Sequence, residues 1–357
     1  MTEVLIYVDR DPMPWGPRDT EAEGLPGGTE TAVVEVGGGL AELGYQVRVH
    51  GNVHRAETHA GVTYGPREAL DADRPVDALI ACRAPELLDA GLPARTTMLW
   101  EHRPDLGKSL TAARAQRVDR VLALSEWHAR RLRSRHPAVA DRVITVRNGV
   151  DSTRFSGPGR RAARVVSSAQ PERGLDVLLE LWPEVRAAVP DAELAYCYAP
   201  VYEFVATRNP DVARHRRRVE RLSRQPGVRA LGPLRPEGHE RLMRDSRVWA
   251  HPSWSTLAGE PFEEASCIAA MEAQAAGLWV VASGWGALSE TVRVGSVIQE
   301  GAPGEPWRSR FVEEIVRGLT DAETQRRAEA DGPSAMSEMG WGRVAARIAR
   351  VIENGAQ

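Results

Sequence analysis

The 357-residue chain predicts an α/β protein built as two doubly wound parallel-sheet domains. Short β-branched runs alternate with helical stretches from the first residues onward, the pattern of parallel strands joined by crossover helices. The strand count restarts after SGPGRRA at 156–162, whose Gly and Pro content suits a hinge. The length also exceeds what one hydrophobic core usually serves.

Taken in order, the first half offers strands at EVLIYVD (3–9), YQVRVH (45–50), DALIAC (77–82), TMLW (97–100), RVLAL (120–124) and VITV (143–146). Helices are expected between them near 30–43, 108–117 and 126–135. The second half offers strands at 164–168, 193–198, 228–232, 248–251, 279–283 and 296–298. Its helices fall near 175–189, 210–224, 236–245, 267–276 and 306–319. The domains are therefore placed at 1–158 and 159–335, with an amphipathic helix at 341–354 inside a closing segment 336–357. In sheets of this kind, ligands bind at the carboxyl ends of strands.

The net charge of −3 and a pI near 6.3 argue against a nucleic-acid binder, whose domain would be strongly basic. No apolar run approaches the ~18 to 20 residues that span a bilayer, and the chain enters its first strand without a basic-then-apolar leader, so a cytoplasmic protein is expected. Cys82, Cys197 and Cys267 are far apart and lack CxxC spacing, which suggests reduced thiols and neither a disulfide framework nor a zinc site. Lys108 is the only lysine. Of the arginine runs at 130–135 and 214–224, Arg130, Arg131, Arg133 and Arg135 do not form one stripe at helical spacing; both runs are read as solvated faces, and no membrane contact is expected from them.

The most informative stretch is EASCIAAME, Glu264 to Glu272, which follows the breaker-rich loop GEPFE. If helical throughout, it sets two carboxylates within about 80° of each other and roughly 12 Å apart along the axis. That span suits an extended polar ligand. The intervening Ala265, Ser266 and Cys267 are small, so the first-turn N–H groups stay open to an anion such as a phosphate. Taken alone, Glu264 could equally be a first-turn acid stabilising its own helix dipole, and Glu272 a solvated mid-helix residue.

From 260 to 292 the chain resembles the donor-site signature of retaining glycosyltransferases of the GT-B fold, glycosyltransferase family 4, and further pieces follow in family order. LPGGTETAVVEVGGGLAELGYQVRVHG resembles the glycine-rich loop and helix of the first domain, LWEHRPDLG the strand end that carries a histidine, and SSAQPERGLDVLLELW the start of the donor-binding half. GPLRPEGHERLMRDSRVWAHPS matches the region that flanks the nucleobase. The resemblance implies two Rossmann-like domains facing each other across a cleft, the first binding acceptor and the second donor, with the last helix crossing back to the first domain.

It also implies roles. Glu264 would bind the sugar hydroxyls, Glu272 the ribose, Arg173 the diphosphate, His102 the donor sugar, and Leu234 and Arg235 the base. Donor contacts are further expected from Gly27 and Gly28, from Thr29 as helix N-cap, and from Ala265, Ser266 and Cys267. Asp11, beside Asp9 in the loop after the first strand, is a candidate for the base that accepts the acceptor's proton. The nucleotide sugar, UDP- or GDP-linked, is a co-substrate, and neither cofactor nor metal is needed. The acceptor is expected to be a soluble small molecule, reached with retention of anomeric configuration, and self-association into a homodimer stays open. The sequence departs from the family pattern at Ser167 and Ser168, where a Gly-Arg pair is usual, and at Trp279, where proline is usual. Trp285 stands in the following glycine turn.

Other readings are a lipid- or polysaccharide-directed membrane enzyme, a non-catalytic nucleotide-binding module, and a metal-dependent single-domain transferase using Asp-x-Asp at 9–11 or 71–73. A phosphorylase would want a lysine that this second half lacks.

Overall fold

The computed structural model describes residues 1–9, 12–19, 27–299 and 303–354. The apolar runs pair in parallel and build two sheets in two units, one reaching Gly149 and rejoined by Trp341–Asn354, the other spanning Val150–Gly340.

In the first unit the strands are β1 (Glu3–Val8), β2 (Gln46–Gly51), β3 (Glu57–His59), β4 (Val62–Pro66), β5 (Val76–Cys82), β6 (Ala94–Trp100), β7 (Arg120–Ala123) and β8 (Val143–Thr145). Their order is β3-β4-β2-β1-β5-β6-β7-β8, parallel except for β3 with β4. The chain thus reverses its direction across the sheet at β1, between β2 and β5. The hairpin β3–β4 lies outside the six strands expected from sequence. Its two-residue turn, Ala60 at φ 47 and Gly61 at φ 75, has the all-positive geometry that usually selects Asn-Gly, and alanine there concealed the signal. The helix expected at 108–117 shrinks to a 3-10 turn at Gly107–Ser109 and a single turn at Ala112–Ala115.

The helix Gly28–Glu42 packs on Trp341–Asn354, whose buried Trp341, Val344, Ala345, Ile348 and Ile352 recur at helical spacing. Gly39 makes the approach close, since a Cβ there would lie 2.7 Å from that of Ala345.

In the second unit β9 (Arg164–Ser167), β10 (Glu193–Cys197), β11 (Val228–Gly232) and β12 (Val248–His251) precede a small hairpin, β13 (Trp254–Ser255) with β14 (Glu260–Pro261). β15 (Trp279–Ser283) and β16 (Gly295–Ile298) complete an all-parallel sheet ordered β11-β10-β9-β12-β15-β16. Its two faces bury separate clusters. Trp182, Phe311 and Ile315 lie in one, Trp249, Met243 and Met271 in the other. Helices Val201–Ala206 and Ala322–Ser337 were not expected from sequence, and Pro333 inside the second breaks its helical signal.

The unusual Trp279 belongs to the first cluster and not to the ligand-facing end. Gly318 opens the space for it, a Cβ there falling 2.7 Å from Trp279 Cδ1, and Arg317 lies 5.4 Å above the ring.

Gly39→Val should lower unfolding free energy by about 1–3 kcal/mol through overpacking against Ala345. Urea denaturation measures it, and a midpoint equal to wild type would mean that the close contact carries no stability.

Candidate functional site

In the second unit the first strand, β9, has β10 on one side and β12 on the other, so the connections diverge at the carboxyl ends of β9 and β12. Ligands of open α/β sheets bind at such a point. Arg173 follows β9 at the end of the 3-10 turn Pro171–Arg173, and His251 is the last residue of β12. Gly174, at φ 118, brings their two loops together: a Cβ there would sit 3.1 Å from Trp254 N and 3.2 Å from Pro252 Cβ.

Between them lies Glu264. Its Oε1 is 3.3 Å from Arg173 Nη1 and 3.3 Å from His251 Nε2, and its side chain is 6% exposed. The Arg173 guanidinium also rests 4.3 Å above the Phe262 ring. Phe262 is fixed in turn, its N–H donating to Ser253 O at 2.9 Å and its carbonyl accepting from Ser253 Oγ at 2.6 Å. Ser253 itself holds a positive φ of 53, a conformation costly for a residue with a side chain. Thr256, in the hairpin loop, ties down that corner by donating to buried Asp176 at 2.6 Å.

Glu264 is not on the helix. The helix runs Ile268–Ala275 with Cys267 as its N-cap, so the two-carboxylate helix face expected from EASCIAAME does not form. The local helical preference loses to a tertiary pairing. Glu264 bridges Gly286 in parallel, and Ala287 N–H donates to its carbonyl at 2.6 Å. Gly286, at φ 70, permits this, because a Cβ would fall on the Glu264 backbone O and N. The glycine turn after β15 therefore seats the acid, with Trp285 half-buried within it.

The two glutamates live in different fields. Burial would raise the Glu264 pKa, but the Arg173 charge and the His251 contact outweigh it and hold the carboxyl below its ordinary value. Burial pushes Glu272 up to about 7, against the lowering charge of Arg154 and with the added repulsion of Glu240. Arg154 and Glu240 pair with each other at 2.9 Å. Cys267, buried, feels both glutamates, and burial first drives its thiol pKa well up. Ala265 is buried and Ser266 half-buried. No side chain caps the helix start, which leaves its first N–H groups to an anion.

Leu234 packs partly against the cluster of Cys267 and Met271, while Arg235 is exposed as N-cap of the helix Pro236–Arg244. Ser168 Oγ accepts from Trp249 Nε1 at 2.9 Å.

In the first unit, Gly27 and not Thr29 is the N-cap of Gly28–Glu42. Its φ of −174 is extended, and Thr29 follows as the second helical residue, its Oγ1 accepting from Arg83 Nη1 at 3.3 Å. His102 stands just past β6, its ring 4.7 Å from that of Trp100. Buried Glu101 organises this turn, accepting from the N–H groups of His102 (3.0 Å) and Arg103 (2.8 Å) and pairing with the Arg103 side chain. Burial, then the charges of Arg83 and His128, depress the His102 pKa well below its usual value, so the ring is neutral. Among the described residues, its buried Nε2 has no partner. Asp11 lies outside the described residues. The 71–73 acids are spent locally, Asp71 Oδ1 accepting from Asp73 N at 3.1 Å. Among the described residues no three His, Cys, Asp or Glu side chains gather as a metal site.

Sequence reasoning missed His251 and Arg83. Both stand at strand ends, the same signal that picked out His102. Arg83 adds a positive φ of 54, which sequence does not display.

Residues 162–321 match the family model described as glycosyl transferases group 1. The chain is 27% identical over 227 residues to the phosphatidyl-myo-inositol mannosyltransferase of Mycobacterium tuberculosis (strain CDC 1551 / Oshkosh), covering 60% of this chain and 55% of that one. It is 28% identical over 235 residues to the D-inositol 3-phosphate glycosyltransferase of Mycobacterium sp. (strain KMS), covering 62% and 49%. The chain thus spans about half the length of the curated relatives it matches. Among solved structures, sucrose-phosphate synthase from Thermosynechococcus elongatus superposes with a TM-score of 0.75 at 15% identity, over 99% of both chains. An Anabaena protein solved with UDP and glucose gives 0.70 at 14% identity, over 99% of this chain and 100% of that one. Residues 162–321 therefore form a glycosyl transferases group 1 domain, carried by a chain with the two Rossmann-like units of the GT-B glycosyltransferase fold.

Proposed function

We propose that this chain transfers a sugar from a nucleoside diphosphate sugar, UDP- or GDP-linked, to a small soluble acceptor, with retention and without a metal. The observation that carries the reading is the buried Glu264 carboxylate clamped by Arg173 and His251 at the divergence of β9 and β12. A nucleotide sugar reacts by shedding a diphosphate, so the site's task is to stabilise negative charge growing on the leaving oxygens. Arg173 and the open N–H groups of the helix Ile268–Ala275 supply positive ends for it. Glu264 has a second oxygen for sugar hydroxyls, and Glu272 takes the ribose. His102, neutral and with an orphaned Nε2, suits a hydroxyl group of the sugar.

A soluble acceptor is favoured over a membrane one. Much of the arginine in the two runs is engaged within the protein: Arg133 donates to Val143 O, Arg135 pairs with Asp105, Arg216 with Glu203, and Arg218 with Asp176. Among the described residues no helix is long and apolar enough to cross a membrane. The two mycobacterial relatives are named for a phosphatidylinositol and an inositol phosphate acceptor, so both classes belong in an acceptor screen. Liposome flotation separates them. Retained activity in EDTA supports the metal-free reading, and activity that returns only with a divalent cation refutes it.

Glu264→Ala should mainly reduce turnover, and Glu272→Ala should mainly weaken donor binding. Calorimetric titration with the donor beside steady-state rates tests both, and unchanged values in the two variants would sink the assignment. Gly286→Ala should mimic Glu264→Ala by displacing its backbone, and Arg173→Ala should slow turnover roughly ten- to a hundredfold, the equivalent of ~1.5–3 kcal/mol.

The raised pKa of Glu272 gives a pH signature. Its contribution to stability is full below the unfolded value and is lost as pH rises through about 7, so Glu272→Gln should gain stability relative to wild type above neutrality. If ribose binding needs the carboxylate, wild-type donor affinity should fall up to about tenfold per pH unit below that pKa, and the Gln variant should show no such slope. Thermal shift and titration across this range read both; parallel curves would refute the coupling.

A further inference from the structure

We propose that Thr256 is a positioning residue for the donor site: held by buried Asp176, it fastens the β13–β14 hairpin and thereby aims the Arg173 guanidinium, a role that deepens the transferase reading of this site and rests on it. Both residues stand outside the clamp of Arg173, Glu264 and His251.

A closed path joins them to Arg173. Arg173 ends its 3-10 turn, Gly174 follows, and Asp176 lies in the first turn of the helix Leu175–Ala188. Asp176 Oδ2 accepts from Thr256 Oγ1 at 2.6 Å. Thr256 sits in the turn between β13 and β14, and the strand that leaves this turn leads to Phe262, whose ring lies 4.3 Å from the guanidinium. The path returns to its starting residue. The hairpin is poorly equipped to hold that position by itself, because it pairs only Trp254 with Pro261 and Ser255 with Glu260, and so short a ladder is marginal in water. Gly259 N–H donates to Ser255 O at 2.8 Å and Ala258 N–H to Ser255 Oγ at 3.3 Å, bonds that shape the tip without attaching it to the body. Residues 257–260 are exposed. The Ser253–Phe262 pair fixes the base of the hairpin, and Thr256 fixes its turn.

The other end of the bond is rigid. Asp176 is fully buried, and Arg218 Nε meets its charge at 2.9 Å. His215 Nε2 lies 3.5 Å from the other carboxylate oxygen, and its Nδ1 is 2.9 Å from the Tyr202 hydroxyl. These partners come from the helices Pro210–Leu222 and Val201–Ala206, so the carboxylate is an anchor tied to two further elements of the unit. Because Arg218 supplies the counter-charge, the anchor persists when the Thr256 hydroxyl is removed. What is lost is the attachment of the hairpin, and with it the surface against which Arg173 rests.

Variants of the full chain separate positioning from plain stability. Thr256→Val removes the hydroxyl with little change of shape, Thr256→Ser keeps it, and Arg173→Ala removes the group being aimed. Calorimetry with UDP and with GDP reads the diphosphate Kd. Thr256→Val should weaken binding of whichever nucleotide the unmodified chain takes by about fivefold, while its Tm falls by no more than about 4 °C. Thr256→Ser should restore the affinity. The double variant of Thr256→Val with Arg173→Ala should bind as Arg173→Ala alone does, since one residue acts through the other, whereas a merely structural loss would add to it. Amide hydrogen exchange across residues 253–262, followed without nucleotide, should quicken by about tenfold or more in Thr256→Val and return to the wild-type rate in Thr256→Ser. The proposal is overturned if Thr256→Val binds the diphosphate like wild type, if its effect adds to that of Arg173→Ala, or if exchange across the hairpin is unchanged. Failure of both nucleotides to bind the unmodified chain would instead overturn the donor-site reading, and the exchange comparison would still decide whether Thr256 fastens the hairpin.

Discussion

A carboxylate almost out of water is the constraint around which the second unit is arranged. Glu264 is 5% exposed, and an isolated charge buried to that degree would be neutralised by proton uptake. Arg173 and His251 prevent this, and both must reach the same oxygen. That requirement explains features that look unrelated along the chain. Gly174 lets the loop after β9 close on the loop after β12, Gly286 lets the turn after β15 touch the Glu264 backbone, and Ser253 takes a strained φ to hold Phe262 beneath the guanidinium. Three neighbouring strands each contribute one short segment, and breaking the geometry of any one leaves the charge uncompensated.

The fold was legible because parallel sheets buried on both faces write themselves as short apolar runs. Most strands of both sheets appear where those runs fall. What escaped was set by tertiary contact: the β3–β4 hairpin with alanine in its turn, the hairpin bearing Thr256 and Phe262, and the helix Ala322–Ser337 interrupted by proline. At the site, Arg173 and Glu264 were picked out together and stand together, but the reason offered for Glu264, a shared helix with Glu272, was wrong. Spacing alone did not reveal that Gly286 competes for its backbone. His251 could have been found by treating every strand-end histidine alike. Arg83 carried the same strand-end signal, but its positive φ is invisible in sequence.

The two acids eight residues apart are therefore not a matched pair. Glu264 is held ionised by the Arg173 charge and the His251 contact, whereas Glu272 is poised near neutrality beside an Arg154–Glu240 pair that largely cancels itself. Environments that drive two like groups apart in acidity assign them different work. The permanent charge suits a fixed electrostatic role, and the titrating group suits a contact that forms when a ligand displaces water.

The pairing of Gly28–Glu42 with Trp341–Asn354 bears on how the protein is made. The helix Gly28–Glu42 finds this partner only after the whole of Val150–Gly340 has been synthesised. The second unit is contiguous and can condense as it emerges, while the first waits with the helix face around Gly39 uncovered. Biogenesis thus runs against the order of the chain, and the early-made unit depends longest on whatever shields apolar surface in the cell.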